Sequence, residues 1–309
     1  MILFKIRNGI SKSDTFLSFM IFISASIWGM FWFPLREIEK IGIISPWAVV
    51  LTNACPLFLL APLLLFSWTK LKGNFGPTCF AAVMIGLAFT FYANSLVETT
   101  VVRATILFYL NPIWGTVIGL VWLSEKLIWS RVVSILMALI GLYFLLYNNQ
   151  ESNHPVNIGD LFGILSGICW SIGGASLKRW NATPILPLTI LVYLASTVFS
   201  IFFAIFLFGA DFPDPDIIYA AIPIAALWSI VLLLPTFIVI FKVSQLLFPG
   251  RVGILMMSEV IVAIISASLL LPDEKMDSIH WLGGIVIIFA GLVEVFFGDR
   301  GKRLFKVKS

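Results

Sequence analysis

The sequence predicts an all-α polytopic membrane protein, ten transmembrane helices arranged as two inverted five-helix repeats. Three observations point there. Of 309 residues, 60% are hydrophobic, only 12% are charged, and mean hydropathy is +1.03; a soluble domain keeps about a quarter of its residues charged. Apolar runs long enough to cross a hydrocarbon layer of ~30 Å recur along the chain. Finally, one stretch of text returns, degraded, in the second half.

The predicted spans are 16–35, 45–66, 78–97, 101–123, 131–148, 158–177, 186–209, 217–241, 249–271 and 279–298. Span one has no small-residue cleavage pattern behind it and reads as a retained helix; it carries Trp28-Gly29 and Pro34. Span two contains Pro56 and Pro62, which bend a helix by removing a backbone donor. Span three brings Tyr92 and Asn94, and only Glu98 to Arg103 separates it from span four. Span four holds Tyr109, Asn111, Pro112 and Trp114, then Gly115 and Gly119 at the four-residue spacing that lets helices approach. Span five carries Gly141, and the polar stretch Asn148 to Pro155 closes the first half. Span six has Gly163, Gly167, Trp170 and Ser171; span eight has Pro223, Trp228 and Pro235; span nine has Arg251, Ser258 and Glu259; span ten has Gly291. The cysteines Cys55, Cys79 and Cys169 lie singly in apolar runs and suggest neither a disulfide framework nor a metal site.

Basic residues set the orientation. With the N-terminus in the cytoplasm, all of the 20 Lys and Arg except Arg36, Lys40, Arg103 and Lys275 fall on the cytoplasmic side, as the positive-inside rule asks. Both termini are then cytoplasmic, which favours ten spans over nine or eleven. The net charge of +4 belongs to this distribution and does not indicate a nucleic-acid partner.

The repeated text is Arg103-Ala104-Thr105-Ile106-Leu107 with Asn111-Pro112, laid on Arg251-Val252-Gly253-Ile254-Leu255 with Glu259-Val260. Each copy runs into a Glu-Lys pair, Glu125-Lys126 and Glu274-Lys275. Two homologous halves with an odd number of spans must enter the membrane from opposite sides, the geometry of alternating access around a midplane site. The repeats cover residues 16–148 and 158–298. No loop is long enough for an ATP-binding domain and no Gly-rich phosphate loop appears, so uphill transport would draw on an ion gradient or on exchange.

Glu259 is the sharpest candidate residue, a carboxyl near the centre of span nine. Such a group must be protonated, paired or wet, so it reads as a proton acceptor, a partner for a substrate amine, or a structural hydrogen bond between helices. Asn111 holds the matching place in span four, where Pro112 frees backbone carbonyls. Trp28, Tyr92, Tyr109, Trp114, Trp170 and Trp228 are candidate pocket walls beside small or polar residues, with Ser258 next to the carboxyl. Arg103 and Arg251, at matching ends of spans four and nine, are candidate gate latches or snorkelling anchors. No metal or cofactor is expected.

These residues resemble the drug/metabolite transporter superfamily, specifically the EamA type with two EamA domains. Arg103 to Pro112 with Glu125-Lys126, the glycines Gly141 and Gly291 of each half's last span, and Trp28-Gly29 with Trp170-Ser171 carry the resemblance across about residues 16–298. The second half departs from it: Ser258-Glu259-Val260 stands where many members keep a proline. The text Met256 to Val260 is similar to the subset of aromatic amino acid exporters. The resemblance implies a ten-span inner-membrane permease rather than an enzyme, with a central cavity for a small-molecule substrate closed alternately on either side; it leaves oligomeric state and transport direction open, and it is the Glu259 carboxyl that makes protons a candidate coupling ion. The leading expectation is transport of amino acids or related amines. The alternatives are efflux of quaternary ammonium or lipophilic cations, a non-transport scaffold, and a lipid-modifying enzyme.

Overall fold

In the computed structural model, residues 14–99, 101–146, 156–270 and 278–297 are described. The cytoplasmic placement of the termini and the Glu274-Lys275 echo lie outside these residues. What is described is all α-helical: α1 Asp14–Trp28, α2 Trp32–Ile41, α3 Ser45–Phe66, α4 Trp68–Lys72, α5 Phe75–Glu98, α6 Val101–Phe108, α7 Asn111–Trp122, α8 Trp129–Leu146, α9 Ile158–Arg179, α10 Ile185–Phe202, α11 Pro215–Ala226, α12 Leu234–Ser244, α13 Pro249–Met256, α14 Ser258–Leu270 and α15 Ser278–Phe297. Among the described residues, eight runs are long and apolar enough to cross a membrane, and α8 and α15 supply two further apolar helices. The chain is a multi-pass membrane protein with about ten long apolar helices.

Three crossings are interrupted, and the interruptions position the candidate site. Span four breaks between α6 and α7 because Pro112 has no N–H to offer the Phe108 carbonyl; Gly167 of α9 lies so close to that carbonyl that an added Cβ would sit 2.7 Å away. Span nine breaks at Met257, between α13 and α14, with no proline or glycine at the break. Span one breaks at Gly29 to Phe31, between α1 and α2. A Cβ on Gly29 would meet the Glu259 carbonyl at 2.6 Å and Val262 Cβ at 2.7 Å, so α1 and α14 touch backbone to backbone there.

In span eight, α11 passes through a π-helical stretch, Leu227–Leu233, into α12. The start of α9 is capped by side chains. Asn157 accepts from the Asp160 N–H at 3.2 Å while Asp160 accepts from the Asn157 N–H at 2.9 Å, a reciprocal capping box that starts α9.

Helix α9 packs along α5, α6 and α7, while α1 packs along α12, α13 and α14; α10 lies between α3 and α5, and α8 pairs mainly with α15. The helices closest to the centre are therefore the broken ones and α5, α9 and α12. Large apolar side chains left exposed on the outside, such as Phe58, Phe66 and Val121, are the composition of a lipid-facing surface.

Candidate functional site

The site grows from the break at Met257. In an unbroken helix the Val260 N–H would bond the Met256 carbonyl; here it bonds the Met257 carbonyl at 3.1 Å. That releases the Met256 carbonyl, which accepts from the Tyr109 hydroxyl at 2.8 Å. Tyr109 itself stands at the break of span four, so two interrupted helices are tied at their gaps.

The same break starts α14 with Glu259 in its first turn. Its side chain points inward and is 2% exposed. Tyr92 of α5 donates to Oε1 at 2.9 Å, and the Tyr109 hydroxyl lies 2.5 Å from Oε2. Among the described residues these phenols are its hydrogen-bond partners, and no Lys, Arg or His forms an ion pair with it. A carboxyl in this setting is neutral or held by the two hydroxyls alone, because an unpaired ion at such depth is expensive.

Glu259 opens on a narrow, water-sized cavity walled by aromatic rings. Trp28 and Phe89 stack with centroids 5.3 Å apart and planes within 2°. Phe237 lies 4.4 Å from Trp28 and 4.2 Å from Phe89, and Trp170 is 5.8 Å from Phe89. Trp28 is fixed from across the molecule, its indole N–H donating to Thr236 Oγ1 at 2.8 Å. Ser166, Met256, Phe108, Ala88 and Ile240 also line it. The arrangement offers one acid among faces that favour a cation or a planar apolar group, and its helices must separate before an organic molecule fits.

Of the residues expected from the sequence, Glu259, Tyr92, Tyr109, Trp28 and Trp170 are brought together here; Tyr109 reaches the carboxyl from behind the cavity wall. Asn111 is not with them. It is buried against Gly253, whose added Cβ would lie 2.5 Å from Asn111 Oδ1, and it lines a separate small cavity with Ser171, Ser244 and Pro249. Its backbone carbonyl accepts from Ser171 Oγ at 3.1 Å. The central cavity takes in neither Trp114, Trp228 nor Ser258: Trp228 packs against Phe33 at 5.7 Å, and Ser258 donates to the Phe22 carbonyl at 2.8 Å.

Both arginines tie a break-bearing span to the first span of the other half. Arg103 pairs with Asp160 at 2.7 Å, beside the α9 cap. Arg251, 2% exposed, donates to Ser18 Oγ of α1 at 3.0 Å.

Phe89, Phe108, Ser166, Phe237 and Met256 line the cavity without having been singled out by the sequence. Helical spacing could have found two of them. Phe89 precedes Tyr92 by three positions and Ser166 precedes Trp170 by four, so each shares a helix face with a residue that did stand out; Met256 stands three positions before Glu259, across the break. Phe237 carries no such mark among 28 phenylalanines.

The EamA-like transporter family matches the chain twice, over residues 15–147 and 157–297. No curated protein sequence is similar enough to match. A solved chain described only as "Crystal structure of protein" superposes with a TM-score of 0.68 at 15% identity, over 93% of this chain and 98% of that one; at that identity the likeness is one of fold.

Proposed function

Because the chain belongs to the EamA-like transporter family, and is thus a membrane transporter rather than an enzyme, we propose that it carries amino acids or related amines by alternating access. The observation that carries this reading is Glu259, a buried carboxyl with two phenols and, among the described residues, no paired cation, opening on an aromatic cavity. A substrate amine is the natural partner for that carboxyl, and Trp28, Phe89, Trp170 and Phe237 give its side chain apolar faces. Arg103 and Arg251 stand at the two ends of the broken spans as gate latches, and Asn111 acts at the break of span four.

Two inverted five-helix repeats, 16–148 and 158–298, underlie the cycle. The main helix contacts support this, since exchanging each span for its counterpart five spans away maps the packing pattern largely onto itself. The contact of α9 with α5 answers that of α1 with α12, α9 with α6 answers α1 with α13, and α9 with α7 answers α1 with α14. The pairs Arg103 with Asp160 and Arg251 with Ser18 are related in the same way. The setting is the inner membrane, with both termini cytoplasmic and protons as the coupling ion.

The aromatic box favours one other reading, efflux of quaternary ammonium or lipophilic cations, whose charge needs a carboxylate and ring faces but no amine hydrogens. Uptake of labelled neutral amino acids, primary amines and permanent cations into proteoliposomes separates the two. Saturable exchange of amino acids or amines supports the proposal, and movement of permanent cations alone replaces it with the second reading.

A further inference from the structure

Tyr109 has one phenolic hydrogen and two acceptors. Its oxygen lies 2.8 Å from the Met256 carbonyl and 2.5 Å from Glu259 Oε2, and a single hydroxyl hydrogen serves one of them at a time. If Glu259 is ionised, the phenol must donate to Oε2, since two acceptor oxygens at that separation cannot face each other without a hydrogen between them. The Met256 carbonyl, already released by the break, then loses its side-chain donor inside the membrane, where an unsatisfied carbonyl is costly. If Glu259 is protonated, Oε2–H donates to the phenol oxygen and the phenol is free to cap Met256.

From this juxtaposition we infer that Tyr109 is a positioning residue that links the proton on Glu259 to the broken turn of span nine. One proton arrives from water and binds Oε2; the Tyr109 hydrogen swings from Oε2 to the Met256 carbonyl; no other bond changes. The loaded carboxyl holds spans four and nine together at their gaps, and the unloaded one leaves the span-nine break uncapped and free to move. The inference deepens the transport reading and rests on it for its purpose, while the switch itself is a property of the folded chain.

Tyr92 cannot serve the same way. Its other neighbour is Thr105 Oγ1 at 3.5 Å, the outer limit of a hydrogen bond, and the Thr105 hydrogen goes to the Val101 carbonyl at 2.6 Å. Nor does a cation compete. Around Glu259, α1 presents Trp28 across the cavity, the break of span one presents Gly29 to its backbone carbonyl, α5 presents Tyr92, and the α6 to α7 break presents Tyr109. The charge on α6, Arg103, pairs with Asp160, and that on α13, Arg251, donates to Ser18. No described side chain of α15 bonds the carboxyl.

The test uses the full chain in lipid nanodiscs without substrate. Infrared difference spectra across pH follow the protonated-carboxyl band of Glu259, assigned by its absence in Glu259→Gln. Hydrogen exchange of the peptide spanning residues 255–262, corrected for intrinsic chemistry, follows the break. In the wild type, exchange should slow by about five-fold as the band appears, the equilibrium worth of one ordinary hydrogen bond. Glu259→Gln, whose amide always donates, should be slow at every pH; Tyr109→Phe should be fast at every pH; Tyr92→Phe should keep the dependence. If Tyr109→Phe does not fold, the wild type with Glu259→Gln and Tyr92→Phe still decides.

A carboxyl band that titrates without any change in exchange overturns the inference, as does a Tyr109→Phe protein with wild-type pH dependence. A band that never changes while the protein stays folded overturns it too. Absence of flux for every compound would sink the transport reading and leave these measurements standing.

Discussion

Gly29→Ala should break a backbone contact between spans one and nine. An added methyl carbon would lie 2.6 Å from the Glu259 carbonyl oxygen, 2.7 Å from Val262 Cβ and 2.8 Å from the Ala263 nitrogen. Ordinary carbon contacts begin near ~3.5 Å, so the shortfall is about 0.7–0.9 Å. The obstructing atoms are backbone or Cβ, and none can rotate away. Spans one and nine must therefore part, and overpacking of this kind costs about 1–3 kcal/mol. If the closed packing alone bears that cost, its population falls against more open arrangements by about 5- to 150-fold. Spin labels on α1 and α14, read as a distance distribution in nanodiscs, measure that shift directly. Gly174→Ala is the control, since a Cβ there meets nothing within 4 Å. A Gly29→Ala protein with wild-type distances and unfolding temperature would refute the backbone contact, and with it the placement of Glu259 beside the break of span one.

Three further outcomes follow from other contacts. A double-mutant cycle on Arg103→Gln and Asp160→Asn should give a coupling of about 0.5–3 kcal/mol in unfolding free energy, because the pair meets at 2.7 Å with the carboxylate nearly buried; purely additive effects would make it a bystander contact. Asn157→Ala removes the side chain that caps the Asp160 N–H and should lower stability by ~1 kcal/mol, with faster amide exchange confined to the first turn of α9. Trp28→Phe leaves a ring to stack on Phe89 but deletes the indole N–H bond to Thr236; unfolding should report a loss of about 0.5–1.5 kcal/mol.

Much of this architecture is legible from residue chemistry alone. Scarce charge and alternating basic loops place the spans within a few residues, and Pro112 announces the break of span four because its missing N–H is a covalent fact. The break at Met257 carries no such signal: its surroundings, Leu255-Met256-Met257-Ser258, are ordinary helix formers, and the turn is held by Tyr109 from another helix. Gly29 is visible in the sequence as part of Trp28-Gly29, but its close approach to α14 is a tertiary contact that the local text does not carry. Glu259 stands out because a carboxyl at midmembrane depth is rare, and Tyr92 and Tyr109 stand out as polar rings. That all three meet could not be read from positions 92, 109 and 259. Asn111 shows the opposite case. The repeat aligns it with Glu259, yet its side chain packs against Gly253, because a short amide on the far side of a proline break does not reach the cavity that the longer glutamate enters.

The most direct test of the account is gradient-driven accumulation in proteoliposomes, with amino acids and amines as substrates, for wild type and Glu259→Gln. The account predicts that the wild type accumulates substrate against its gradient when a pH difference is imposed. Glu259→Gln should lose accumulation, and its downhill exchange should fall as well, because the amide can neither take up and release the proton nor pair a substrate ammonium as a carboxylate does. Equal accumulation by the two proteins would contradict the account, for it would remove Glu259 from the coupling step.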